Sequence, residues 1–377
     1  MRRRQTPTAV SVVEWRRGGH RLAYVAAIAK GARPKSVELI TSSDAMNSGE
    51  FETHLAPFVH SGALTVRVVD GLEDTGALLS LLRELRTASR GVVLPEADKF
   101  LLRLLVAKVL GRLPRQMVII VMRPPSAVAR GGRLGSWTKR ALIVSLMAWR
   151  RSLDVRLLED PLGRGETRCW QGLVLGRPSY RLNDPCGVLD SGSAPLPSSV
   201  TEVLTDLRVV AVVGALDARK NLPLVIEGWE TVNIPGSALL LAGPQSPGIE
   251  AWLRDGETRL PPNVFTWNDY LGHDELRSAI ERSTAIITLY DGGISSSLML
   301  GAAALGRWTI TLAGTRTALV AEGHGFGIAC LPTASDVARA IREALAKSAY
   351  PEAVSLPNSR EFGRDILRRF ATPADVT

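Results

Sequence analysis

The sequence predicts an α/β protein built from two doubly wound, Rossmann-like domains that face a cleft, and three observations support this. Short β-rich runs alternate with helical stretches, as in a parallel sheet covered by helices on both faces. A segment rich in Ser and Pro, residues 190–199, interrupts the alternation, which then restarts. The length of 377 residues exceeds what one hydrophobic core usually supports. We therefore predict an N-terminal domain at 1–190 and a C-terminal domain at 191–359.

The first domain contains short β-rich runs and longer helical stretches in alternation. The predicted strands are Ala9–Glu14, Val37–Thr41, Leu64–Val69, Gly91–Leu94, Met117–Met122 and Asp154–Leu158. The predicted helices are His20–Lys30, Gly76–Ala88, Asp98–Leu110 and Ser136–Ser152.

The same alternation in the second domain predicts a second parallel sheet. The predicted strands are Arg208–Val213, Ala238–Ala242, Val264–Trp267, Ala285–Leu289 and Trp308–Leu312. The predicted helices are Leu222–Val232, Gly248–Asp255, Asp274–Arg282, Ser296–Leu305 and Ala334–Lys347. A last amphipathic segment, Arg360–Phe370, follows Pro351 and Pro357, so we expect the chain from 360 to 377 to pack back on the first domain.

The charge of the chain limits its partners. A net charge of +9 favours anionic partners such as nucleotides, nucleic acid or an acidic membrane surface. Because only 5% of the residues are aromatic and no nucleic-acid-binding motif is recognisable, we predict no nucleic acid partner.

The sequence carries no signal that predicts secretion or membrane insertion. Its longest apolar run, residues 141–149, is short and bordered by basic residues, and no apolar core follows the basic residues 1–5. The cysteines Cys169, Cys186 and Cys330 are too few and too scattered for a disulfide framework or a structural zinc site. We predict a cytoplasmic protein, and the sequence leaves its oligomeric state open.

Two segments of the second domain predict opposite sides of one anion site. The basic turn Gly214–Asn221 follows a buried strand and carries Arg219 and Lys220. A later loop lies between a strand and a helix, where free N–H groups and the helix dipole attract an anion. The residues of that loop are Tyr290, Asp291, Gly292, Gly293, Ile294, Ser295, Ser296 and Ser297. Either segment alone is equally typical of a capped helix or a solvated basic turn.

Over residues 208–347 the chain resembles the donor-binding domain of GT-B fold glycosyltransferases, most closely the retaining family-4 type. The resemblance depends on motifs in a fixed order: residues 214–221, Leu239–Pro244, Phe265–Leu271 with Glu275-Leu276, and Gly292–Gly306. It implies that Lys220, with Arg219 beside it, neutralises the nucleotide diphosphate.

The same resemblance implies further donor-binding residues. The helix after the glycine loop, Gly292–Ser297, holds the distal phosphate, and Gly214 belongs to the first turn. Around the nucleobase the resemblance places Asn268, Tyr270 and Leu271.

In the first domain Gly18, Gly19 and His20 resemble the family's glycine loop that approaches donor and acceptor, which makes His20 a third catalytic candidate beside Arg219 and Lys220. The alternative is that His20 starts a helix on the surface. Residues 94–98, which include Glu96, end another predicted strand and either face the same cleft or form an ordinary turn.

The sequence departs from the family pattern at its glutamates. Gly293 and Gly301 stand where typical members carry the two glutamates that hold the donor sugar and the ribose, and Ala215 replaces an arginine. Asp291 lies close enough in sequence to replace the first glutamate. Diphosphate capture does not depend on these positions, whereas sugar recognition does.

Our leading hypothesis is a retaining glycosyltransferase that moves a sugar from a nucleotide-diphosphate sugar to an unidentified acceptor. We expect it to use no cofactor, and we predict no metal site because the five histidines are dispersed along the chain. The alternatives are a degenerate GT-B protein that binds a nucleotide or a partner, a nucleotide-sugar epimerase, and a transferase with a cyclitol-like donor. The helix 137–151 has an apolar body with basic ends, typical either of peripheral membrane contact or of a core helix.

Overall fold

The computed structural model describes residues 10–17, 21–32, 37–88, 90–122, 133–148, 153–163, 181–190, 192–254, 260–290 and 296–370. The chain divides into two compact units. The first unit is Met1–Pro185 together with Pro357–Thr377, and the second unit is Cys186–Leu356. Each unit has its own parallel sheet with helices packed against it, so the predicted fold class is confirmed.

The first unit contains a seven-stranded sheet in the order β3-β2-β1-β4-β5-β6-β7, in which every neighbouring pair is parallel. Its strands are β1 (Val10–Val13), β2 (Val37–Thr41), β3 (Leu64–Val68), β4 (Gly91–Leu94), β5 (Met117–Val121), β6 (Leu153–Glu159) and β7 (Arg181–Asn183). Its helices include α1 (Arg21–Gly31), α2 (Ser43–Met46), α3 (Gly49–His54), α4 (Ala56–His60), α5 (Thr75–Thr87), α6 (Leu101–Val109) and α7 (Arg133–Ala148).

The second unit contains a six-stranded parallel sheet in the order β10-β9-β8-β11-β12-β13. Its strands are β8 (Arg208–Val213), β9 (Ser237–Ala242), β10 (Val264–Trp267), β11 (Ser283–Thr288), β12 (Trp308–Leu312) and β13 (Gly327–Cys330). Its helices are α8 (Ser198–Leu204), α9 (Leu222–Glu230), α10 (Pro247–Arg254), α11 (His273–Arg282), α12 (Ser297–Ala304), α13 (Arg316–Gly323) and α14 (Ala334–Ala346), and α15 (Ser359–Leu367) returns to the first unit.

The central strands of the second sheet are buried along their whole length because helices cover both faces. In β9 and β11 every residue is buried, which is the pattern of a parallel sheet and differs from the alternation of a half-exposed one. On one face Trp229 of α9 and Val337 of α14 pack with the sheet in a single core. The sequence analysis missed two short strands at the edges of the sheets, β7 with three residues and β13 with four.

The apolar side chains of helix α7 pack into the core of the first unit. Ile143, Leu146 and Met147 are buried there. This favours the interpretation of α7 as a core helix, because those side chains are not available to a membrane surface. Within the described ranges, no helix is long and apolar enough to cross a bilayer.

Helices α1 and α15 cross at a point where their backbones touch. A Cβ atom added to Gly363 would lie 2.1 Å from the carbonyl oxygen of Ala27, and one added to Gly31 would lie 2.4 Å from the carbonyl carbon of Gly363. Beside this contact, the rings of Tyr24 and Phe362 stack at a centroid distance of 5.3 Å. The C-terminal helix is therefore part of the core of the first unit.

We expect Gly363→Ala to destabilise the first unit by about 1–3 kcal/mol, because the new methyl group has to push two helix backbones apart. Chemical denaturation followed by circular dichroism measures the change in the free energy of unfolding. The matched control is Gly49→Ala in α3, where an added Cβ has no atom within 4 Å. Equal losses in the two variants would contradict close packing at this crossing.

Candidate functional site

The candidate site lies at the topological switch point of the second sheet. Strand β8 is the neighbour of both β9 and β11, and the chain runs outward from β8 in both directions. In such sheets the loops after the two central strands diverge and leave a crevice at the carboxyl ends of the strands. The loops that meet at this edge follow β8, β9, β10 and β11, so the two segments of the predicted anion site lie on neighbouring strands.

A short 3-10 turn after β8 positions the basic residues. Residues Ala218–Lys220 form this turn, and the carboxylate of Asp217 caps it by accepting a hydrogen bond from the Arg219 N–H at 3.0 Å. Asn221 then adopts a left-handed conformation with a φ of 51°. Its side-chain amide donates to the carbonyl of Leu289 at 2.5 Å, which fixes the turn to the end of β11.

Lys220 turns inward and is almost completely buried. Its side chain is 7% exposed, and its Nζ donates to the carbonyl oxygen of Val213 at 3.2 Å. The nearby carboxylate of Asp217 forms an ion pair with Arg219 instead, and within the described part of the chain no carboxylate forms an ion pair with Lys220. Burial lowers the pKa of Lys220 from 10.5 to about 8. A buried cation of this kind attracts an anionic ligand.

Tyr290 connects Lys220 to the start of α12. The Nζ of Lys220 lies 4.9 Å from the centroid of the Tyr290 ring, and the Tyr290 hydroxyl forms a hydrogen bond with the hydroxyl of Ser296. Ser296 caps α12 by accepting from the Met299 N–H at 3.3 Å. Burial raises the pKa of Tyr290. The structure therefore brings Lys220 and the N-terminus of α12 together.

Arg219 has a different environment from Lys220. Its side chain is 79% exposed, and its guanidinium forms a two-pronged ion pair with Asp217, with an Nη2–Oδ2 distance of 2.6 Å. This hydrogen bond raises the pKa of Arg219 and lowers that of Asp217. Arg219 can contact a phosphate either with the N–H groups that Asp217 does not use or after its ion pair with Asp217 breaks.

Two glycines allow the loops after β8 and β9 to touch. Gly214 has a φ of 81° and Gly243 a φ of 137°. A Cβ atom added to Gly243 would lie 2.2 Å from the carbonyl oxygen of Gly214. A Cβ at Gly214 itself would be 3.6 Å from Leu298 of α12, so the β8 loop lies directly against that helix. The close approach leaves backbone rather than side chains at the edge of the crevice.

The residues predicted for the nucleobase follow β10. The side-chain oxygen of Asn268 accepts a hydrogen bond from the Gln245 N–H at 3.0 Å, so Asn268 joins the loops after β9 and β10. Leu271 is buried and Tyr270 is half-buried. Of these three, Asn268 has a structural role that the sequence analysis did not foresee.

The remaining predicted site residues divide into two groups. Ser297 is the first residue of α12, directly after Ser296. Outside the described residues lie Gly18, Gly19, His20, Asp291, Gly292, Gly293, Ile294 and Ser295. Gly301, which stands in place of a family glutamate, is buried within α12.

The sequence analysis included Tyr290 and Asn221 in the two predicted segments without giving either a role, and it named Gly243 only within a family motif. Their positions in the sequence give a signal, because Gly243 directly follows the buried strand β9, Tyr290 follows β11 after one intervening residue, and Asn221 directly follows the basic pair. What the sequence could not reveal was that the aromatic ring of Tyr290 lies against Lys220.

A second charged cluster lies at the equivalent edge of the first sheet, after β1 and β4. Glu14 is fully buried and pairs with Arg16 at 2.9 Å. Glu96 pairs with Arg16 at 2.9 Å and with Arg21 at 2.5 Å. The carboxylate of Glu96 therefore links the end of β1 to the start of α1.

No protein family model matches the chain, and no curated protein sequence matches it. Among solved structures, the chain is similar to HepE from Anabaena in complex with UDP and glucose, with a TM-score of 0.62 and 12% identity over 96% of this chain and 95% of that one. WaaG, a glycosyltransferase of lipopolysaccharide biosynthesis, matches with a TM-score of 0.54 and 13% identity over 97% and 96%.

A putative UDP-N-acetylglucosamine 2-epimerase from Listeria monocytogenes matches with a TM-score of 0.62 and 11% identity over 96% of this chain and 94% of that one. At such low identities these similarities establish the fold. They confirm the expectation of a chain with the GT-B architecture.

We expect Lys220→Met to stabilise the unliganded protein at neutral pH by up to about 3 kcal/mol, the energy equivalent of a pKa lowered from 10.5 to about 8. Because the unfolded state binds the proton more tightly, the stability of the wild type rises between pH 8 and 10.5. The stability advantage of Lys220→Met over the wild type is therefore largest below pH 8 and becomes smaller above pH 8.

Urea unfolding from pH 7 to 10.5 measures this difference. Lys99→Met is the matched control, because Lys99 is exposed and its replacement removes no buried charge. An advantage of Lys220→Met that stays constant with pH would contradict a buried, charged Lys220.

Proposed function

We propose that the chain is a glycosyltransferase that moves a sugar from a nucleoside-diphosphate sugar to an acceptor, with Lys220 as the cation that neutralises the leaving diphosphate. One observation carries this proposal. Lys220 is buried at the switch point of the second sheet, with no carboxylate ion-pair partner in the described ranges, beside the N-terminus of α12.

The chemistry explains why such a cation is useful. When the bond between the sugar and the distal phosphate breaks, negative charge grows on the departing diphosphate. A fixed ammonium group in a site with little water stabilises that charge without reorganisation, and the amides at a helix start add further donors. We propose that these groups, without a resident metal, supply the charge compensation.

Similarity to HepE supports a nucleotide sugar as ligand, because structures of HepE contain UDP, glucose and UDP-glucose. We extend this to a donor site in which residues 267–271 border the nucleobase and the loop 291–297 holds the distal phosphate. His20, with Gly18 and Gly19, is proposed to approach the reacting sugar. A retaining outcome rests on the family-4 resemblance alone.

Sugar recognition is the part of this proposal that requires a replacement for the lost glutamates. Gly301 is a buried residue of α12 and offers no side-chain acceptor. We propose that Asp291, next to Tyr290, supplies an acceptor for the donor sugar. The acceptor substrate remains open within the proposal.

We expect Lys220→Met to weaken UDP binding by at least about tenfold, because a charge-assisted hydrogen bond contributes about 1.5–3 kcal/mol. Isothermal titration calorimetry with UDP at pH 7 measures the affinity, with GDP and ADP as parallel probes of the base. Arg219→Gln is the matched comparison and should weaken binding less, because Arg219 is exposed and already paired with Asp217. Equal affinity in the wild type and Lys220→Met would remove the assignment of Lys220.

A second candidate function is a nucleotide-sugar epimerase, favoured by the match to the Listeria epimerase and by the missing glutamates. We expect the wild type to consume a nucleotide sugar only when an acceptor is present, and to release the nucleoside diphosphate. Nuclear magnetic resonance of a nucleotide sugar incubated with the protein alone separates the functions. Inversion of a sugar carbon without an acceptor would establish the epimerase, and binding without turnover under any condition would favour a degenerate site.

A further inference from the structure

Helix α6 of the first unit is apolar on its outer face as well as on its core face. Among the described residues, ten large apolar side chains are exposed, and four of them lie on α6 and its C-terminal cap. They are Leu102, Val106, Val109 and Leu110, which are between 51% and 66% exposed. A concentration of this kind on one element is unlike the scattered exposed apolar residues of a typical surface.

These four residues form one stripe. Their spacing of four, three and one places them on the same side of an α-helix. The core-facing residues Leu101, Leu104 and Ala107 lie on the opposite side and are buried. Packing of the first unit therefore explains one apolar face of α6 and leaves the second face, which we call the α6 stripe, in contact with solvent.

The chain segment that carries the α6 stripe contains charged residues of one sign. Residues 99–116 contain five basic side chains and no Asp or Glu. The basic residues are Lys99, Arg103, Lys108, Arg112 and Arg115, of which Lys108 is half-buried and the others are exposed. Arg103 follows Leu102, and Arg112 lies two residues after Leu110, so both ends of the stripe carry positive charge.

We propose that the α6 stripe docks onto the anionic surface of a lipid bilayer, with its aliphatic side chains in the interfacial region and the basic residues on the headgroups. A stripe of aliphatic residues bordered by Lys and Arg is the pattern of helices that lie in the membrane interface. A second copy of the chain does not fit, because pairing two such faces would bring like charges together.

This site differs from the membrane contact expected for α7, whose apolar body is buried. Helix α7 packs beside α6 and has one large exposed apolar side chain among its described residues, that of Trp137. The α6 stripe does not depend on the proposed sugar transfer, so the two proposals stand or fall separately.

Sedimentation with large unilamellar vesicles tests the proposal on the full chain. We expect the wild type to bind vesicles of phosphatidylcholine with 30% phosphatidylglycerol at least about tenfold more strongly than vesicles of phosphatidylcholine alone, and to lose this preference at high salt. Val106→Glu/Val109→Glu should reduce binding to the anionic vesicles at least about tenfold. Arg103→Gln/Arg112→Gln should reduce it by a similar factor.

Leu319→Glu on α13 is the matched control, because Leu319 is 68% exposed but lies outside the stripe. Circular dichroism and thermal melting establish that each variant is folded, and Val109→Ser/Leu110→Ser repeats the test without added charge. The proposal is overturned if the wild type does not prefer anionic vesicles, or if Leu319→Glu loses as much binding as the stripe variants. It is also overturned if light scattering shows a dimer that only the stripe variants disrupt, because the occupant is then a second copy.

Discussion

The burial of Lys220 is the constraint on which the candidate site depends. Lys220 is only 7% exposed as a residue, so its ammonium group loses most of its hydration. Its hydrogen bond to the Val213 carbonyl and its contact with the Tyr290 ring replace only part of that hydration. The lowered pKa of Lys220 reflects the free-energy cost of burial that these two contacts do not offset. Strongly perturbed pKa values of buried groups are concentrated at functional sites, which is why we base the proposed donor site on Lys220.

The groups around Lys220 do not neutralise its charge, so the free-energy cost of burying it remains. Asp217, the nearby acid, is occupied by Arg219 and by the cap of its own turn, so it does not pair with Lys220. Asn221 fastens the same turn to the end of β11, and Tyr290 holds Ser296 at the start of α12. Two neighbouring strands of one sheet thus fix the cation and the helix terminus relative to each other.

The first unit contributes features of a different kind. Its C-terminal helix α15 is locked to α1 by contact between glycines, so residues far apart in sequence share one core. Glu96 joins the end of β4 to the basic residues around the start of α1. Its helix α6 leaves an apolar stripe uncovered. The first unit therefore carries the exposed surface on which the membrane proposal rests, whereas the second unit carries the buried cation on which the proposed donor site rests.

The sequence by itself determined the two parallel sheets, because strands that are buried on both faces contain near-continuous apolar runs, such as Ala238–Ala242 in β9. It also placed Lys220 in the turn that follows a central strand, β8. Only the tertiary structure decided that Lys220 is buried and that Asp217 forms its ion pair with Arg219. It also decided that Tyr290 links the two segments of the site, and which apolar face of α6 stays exposed. These outcomes depend on packing between residues distant in the chain, and local patterns of hydrophobicity and charge do not record such contacts.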